Sequence, residues 1–171
     1  MRVRQGVAVV AVSLLMAGSV AAQEKPRGRA CTDSDVIGTL SLVHLKSSIP
    51  VHEDDPDFLP HQLWIFTPEG KYMKIGRATP FTEADYDRVP EIMRSQTPST
   101  TYKVSQEKAM LVLYPKEPIR FLFSCFVIES PHKTEQADLR VGDILLDMYT
   151  ADGKRIVIGH QFRKVRNFGD R

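Results

Sequence analysis

From residue 36 onward the chain reads as short runs of alternating or β-branched apolar positions, broken every few residues by Pro, Gly, Asn or Asp. A period of two sends successive side chains to opposite faces of a strand. Such runs cover residues 36–45, 62–67, 71–76, 102–105, 109–114, 119–128, 143–150 and 155–164. In the first, Gly38 suits a bulge or the close approach of another backbone. In the second, Trp64 and Phe66 fall on one face and Leu63 and Ile65 on the other. Pro68-Glu69-Gly70 joins the second run to the third, and Asp152-Gly153 joins the last two, both reading as hairpin connections. Along the closing strand Ile156, Ile158, His160 and Phe162 share the apolar face, which aims His160 inward.

One segment departs from this rhythm. Thr82 followed by Asp85 forms a capping-box pattern, and Ala84, Tyr86 and Val89 continue it as a short helix that Pro90 interrupts or restarts. Residues 47–60 hold Pro50, Pro56, Pro60, Glu53, Asp54, Asp55 and Asp57, a composition that sustains neither ladder nor helix and reads as a long loop. No repeat period or second linker is visible. The spacing predicts an all-β, antiparallel barrel or sandwich with one short helix.

The N-terminus follows another logic. Arg2 and Arg4 precede an apolar run from Gly6 to Ala17, and the small residues Gly18, Ser19, Val20, Ala21 and Ala22 follow. That layout matches a cleaved signal peptide over residues 1–22 and is too short for a membrane span. Residues 23–30 then read as a flexible mature N-terminus, and 31–171 as a single β domain. No lipobox precedes Cys31, so lipid anchoring is disfavoured and the expected location is periplasmic or secreted. Loss of Arg2 and Arg4 brings the 23 basic residues level with the 21 acidic ones. A neutral chain without a Lys/Arg block argues against nucleic acid or stable membrane contact. The two cysteines, Cys31 and Cys125, enter an oxidising compartment and are expected to form one bridge.

Several pieces in order resemble the bacterial lipocalin-like, calycin-type barrel family. They are Ile37-Gly38-Thr39 opening the first strand, Trp64-Ile65-Phe66-Thr67-Pro68-Glu69-Gly70-Lys71-Tyr72-Met73 as the next hairpin, and Phe162-Arg163-Lys164-Val165 ending the last strand. The family usually carries Trp two residues after the first-strand Gly, where this chain has Leu40. The resemblance implies an up-and-down barrel whose mouth or interior accommodates a small apolar ligand.

For such a ligand Trp64, Phe66, Tyr72, Tyr102 and Phe123 offer aromatic surface and His160 a polar handle. The same aromatics also suit an ordinary core. His52-Glu53-Asp54-Asp55-Pro56-Asp57 with His61 is the densest set of metal-ligand types, but its spacing matches neither an EF-hand nor HExxH, so a solvated loop is expected and no metal or cofactor. His44 and His132 read as isolated structural histidines. No nucleophile elbow, phosphate loop or paired-cysteine motif appears, which disfavours an enzyme. The expected function is therefore non-covalent binding of a small hydrophobic or amphipathic ligand. The alternatives are an envelope protein–protein interaction module with a filled barrel or sandwich, and an enzyme built on an in-barrel His160.

Overall fold

The structure, a computed structural model, describes residues 27–50, 55, 58–133 and 137–168. The expected signal peptide, residues 1–22, lies outside the described residues. The strands are β1 (Gly28–Ala30), β2 (Gly38–Ser47), β3 (His61–Phe66), β4 (Lys71–Arg77), β5 (Thr100–Ser105), β6 (Met110–Lys116), β7 (Ile119–Ile128), β8 (His132–Lys133), β9 (Asp138–Leu139), β10 (Ile144–Tyr149) and β11 (Ile156–Arg166). Three short helices join them: α1 (Asp33–Val36), α2 (Glu83–Asp87) and α3 (Val89–Ser95).

Strands β2 to β7, β10 and β11 pair antiparallel in chain order, and β11 returns to β2, so eight strands close an up-and-down barrel. Closure removes most exposed edges. The seam is weakest between β4 and β5, which share only the pairs Lys71↔Thr101 and Tyr72↔Thr100. At Gly38 the backbone has φ 129°, and a Cβ there would collide with the carbonyl oxygen of Arg166, so the close approach read from the sequence is met where β2 crosses the end of β11.

Strand β3 is buried on both faces. Its inward residues Trp64 and Phe66 join the barrel core with Leu40, Leu111, Phe123, Leu146 and Phe162. Its outward residues Leu63 and Ile65 meet Val89, Phe81, Tyr86 and Met93 from the α2–α3 segment. The expected face assignment holds, and the helical segment explains why the second face is apolar too. Thr82 caps α2 through a capping box with Asp85, and Pro90 sits in the first turn of α3, where a missing N–H costs nothing.

Three expectations need correction. Residues 28–30, read as flexible, form β1, pairing Gly28↔Ile128 and Ala30↔Phe126 along β7 beyond the end of β6. Main-chain pairing needs no apolar pattern, and the adjoining disulfide tethers this segment. The one expected helix is two, divided at Arg88, and α1 is additional; its four residues are too few for a periodic signal. Ile156 is 49% exposed because β11 starts with it at the hairpin, whereas Ile158, His160 and Phe162 are buried as expected.

The two ends differ. At one, α1 lies across the barrel with Val36 in the core, and Cys31 is bonded to Cys125 with Cα atoms 5.4 Å apart. At the other, the β6–β7 turn and the β10–β11 hairpin form the rim of a mouth.

Candidate functional site

The alternation that builds each strand brings all six predicted ligand-binding residues into one cluster. Trp64 is its hub, with ring centroids 5.4 Å from Tyr72, 5.6 Å from Phe123, 5.1 Å from His160 and 4.8 Å from Phe162. Phe66 lies between Tyr72, tilted against it at 5.1 Å, and Tyr102, edge-on to it at 5.0 Å. Edge-on and tilted contacts at these distances are favourable ring geometries. Packed against one another, these rings fill the middle of the barrel.

The polar atoms of the cluster are held locally. The Trp64 Nε1–H donates to Gln62 Oε1 at 3.0 Å, and Gln62 Nε2 donates to the Leu59 carbonyl. The Tyr102 hydroxyl donates to the buried Thr67 carbonyl at 2.8 Å, and burial pushes its pKa up to about 12. His160 Nδ1 lies 3.1 Å from the Leu146 carbonyl. A carbonyl only accepts, so Nδ1 carries the proton and Nε2 is left as an acceptor. Burial, opposed by that bond and aided by the charge of Lys74, lowers the His160 pKa to about 4 and keeps the ring neutral at neutral pH.

Toward the mouth the filling stops. Leu113 pairs with Phe121 as Leu111 pairs with Phe123, so Phe121 stands on the inward face, yet it is 45% exposed. Ile119, two residues nearer the rim, is 54% exposed. Lys74 pairs with Trp64 across β3 and β4 and so shares the inward face. Gln62, Lys74 and Phe121 were not among the sequence candidates, although strand alternation places each beside one that was: Gln62 and Lys74 flank Trp64, and Phe121 precedes Phe123 by two.

His44 is exposed and His132 half-buried, and neither joins the cluster. Most of the acidic loop, residues 51–54 and 56–57, lies outside the described residues. Among the described residues no group of His, Cys, Asp or Glu is arranged to hold a metal, and no carboxylate or hydroxyl hydrogen-bonds His160. Asp147 faces outward, 3.4 Å from the Ser124 hydroxyl, with burial raising its pKa.

A separate cleft of about 670 Å³ opens at the α1 end, outside the aromatic cluster. Arg163 donates through Nε and Nη2 to Asp143 at 2.9 and 3.0 Å, and Gln161 Nε2 donates to the same carboxylate at 2.8 Å. Arg29 forms a two-pronged pair with Asp35 at 2.7 and 2.8 Å, which holds the Asp35 carboxyl well below the usual carboxylate range. No family model, no curated protein and no solved structure matches this chain.

Proposed function

We propose that this chain is an exported, lipocalin-like binding protein that takes a small hydrophobic or amphipathic ligand without covalent chemistry, at the mouth of the barrel. The observation that carries the reading is the inward-facing Phe121, 45% exposed above a floor of Trp64, Phe123 and His160. An inward aromatic left open at one end of an otherwise filled barrel is the kind of concave apolar surface that small ligands use, and His160 Nε2 and Lys74 supply polar contacts. The disulfide supports an oxidising compartment, periplasmic or extracellular.

Trp64 is the sole tryptophan, so its emission reports on the floor of the site. Titration of the mature protein with the neutral probe N-phenyl-1-naphthylamine should give saturable energy transfer from Trp64. Native mass spectrometry should show one probe per chain. Absence of uptake in both measurements rejects the reading.

The tight ring packing in mid-barrel favours a second reading, in which a filled barrel serves as an interaction module for another envelope protein. Its signature is a cross-linked partner lost on neutralising Glu53, Asp54, Asp55 and Asp57, with no apolar probe bound.

A further inference from the structure

The cleft at the α1 end is independent of the mouth and is built differently. Strand β10 begins at Ile144, opposite Phe162, so Arg163 and Lys164 run on without a β10 neighbour. The turn before β10 and helix α1 flank that gap and leave the cleft of about 670 Å³, a volume within the usual range for small-molecule sites.

Its cations are fixed before any ligand arrives. The Asp143 side chain is 1% exposed and grips Arg163 at Nε and Nη2, which orients the guanidinium while Nη1 makes no hydrogen bond among the described residues. Arg140, on the rim and 62% exposed, donates through Nε and Nη2 to one oxygen of the exposed Asp138 at 3.3 and 3.1 Å. Lys164 Nζ donates to the Ser34 carbonyl at 2.8 Å on the α1 side. With Arg29, four basic side chains line the cleft against the three acidic ones Asp35, Glu129 and Asp143. The rest of the lining is Ser34, Gly142 and the apolar Val127, Ile128, Ile144 and Val141, the last 65% exposed.

We infer that this cleft is a second binding site, for a small monocarboxylate with a short hydrocarbon body. The carboxylate matches the planar fork that Arg163 presents, as guanidinium groups bind carboxylates through paired N–H donors. Asp138, paired with Arg140 beside the cleft, balances the fourth cation, so the preference for a carboxylate rests on the fork of Arg163 and not on net charge, and the carboxylates in and beside the lining oppose a polyanion. Val127, Ile128 and Ile144 are nearly fully buried, so the hydrocarbon finds its contact chiefly on exposed Val141, which gains most from being covered.

The probe is octanoate, followed by two-dimensional NMR of the full mature chain, with octanol and acetate as the uncharged and tail-less controls. Octanoate should shift the backbone amides of Val141, Gly142 and Lys164 and the Arg163 Nε–H, with each control about tenfold weaker or more. Arg140→Gln and Val141→Ser alter exposed rim positions, preserve the fold, and should each weaken octanoate several-fold. Arg163→Lys keeps the charge beside Asp143 and loses the fork, so it should weaken octanoate and acetate to a similar degree and leave octanol unchanged. Phe121→Ser at the mouth should leave the octanoate shifts unchanged. Octanol shifting the Val141, Gly142 and Lys164 amides with equal affinity, or no shifts at those amides at millimolar octanoate, overturns the inference, and neither outcome depends on whether the mouth binds its own ligand.

Discussion

The two ends of the barrel solve opposite problems. At the α1 end a covalent bridge, a helix and a buried carboxylate clamp the chain: Cys31 is joined to Cys125, Val36 is fully buried, and Asp143 is wrapped by Arg163 and Gln161. At the mouth, exposed Ile119, Phe121 and Ile156 stand at the β6–β7 turn and the β10–β11 hairpin. Stability concentrated at one end lets the other expose apolar surface without unravelling, since local opening follows local contact density. If that division is real, lesions at the clamped end should unfold the domain and lesions at the mouth should mainly change what it binds.

The largest effect should come from the bridge. Its sequence separation is 94 residues, and closing a loop of that length stabilises by about 4 to 5 kcal/mol in the chain-entropy model. The Cys31→Ser, Cys125→Ser double variant should lose most of that in urea unfolding, and reductant should do the same to the native protein. A loss below about 1 kcal/mol would mean the clamped end does not depend on its covalent tie.

His160 lies between the two ends and makes stability depend on pH. Its folded pKa, about 4, sits below the ordinary 6.5, so the unfolded chain binds the proton more readily. Stability from the buried neutral ring is therefore complete above the unfolded pKa and declines as pH falls from about 6.5 to about 4. The decline is roughly 3 kcal/mol at about 1.4 kcal/mol per unit. His160→Gln should flatten that limb of a stability profile measured by urea unfolding from pH 7 to pH 4. An unchanged slope in the variant would show that another group titrates there.

Next in size is Asp143→Ala, which leaves Arg163, Gln161 Nε2 and the Arg140 backbone N–H without their shared acceptor. Removing one partner of a buried pair is costly, but the Arg163 side chain is 34% exposed and water re-solvates part of it. About 2 to 3 kcal/mol is expected from thermal or urea unfolding. The α1 and turn amides should lose hydrogen-exchange protection before those near Phe121.

How much of this could be read from the residues alone follows the same division. An antiparallel barrel or sandwich was legible because period-two alternation recurs along the eight barrel strands, the resemblance chose the barrel, and the facing of Trp64, Phe66, His160 and Phe162 came with the alternation. The Cys31–Cys125 bridge was legible because the chain has two cysteines. The clamped end was largely hidden. β1 pairs through main-chain atoms that Gly28, Arg29 and Ala30 do not advertise, and α1 is a single turn. Asp143 and Arg163 are 20 residues apart and meet only because β10 returns beside β11. At the mouth, the exposure of Phe121 was also invisible, because the same alternation describes a filled and an open layer of barrel.

The smallest expected change in stability tests the other side of the comparison. Phe121→Ser removes an aromatic side chain already 45% exposed, so it forgoes only part of the burial a core phenylalanine contributes and should cost about 1 kcal/mol. Its effect on binding should be disproportionate, because the ring is the open face on which the apolar probe rests. Energy transfer from Trp64 to N-phenyl-1-naphthylamine should weaken about tenfold, which corresponds to the loss of roughly 1.4 kcal/mol of contact. A variant that keeps full probe affinity while losing several kcal/mol would reverse the assignment, making the mouth structural and sending the search for the ligand back to the clamped end.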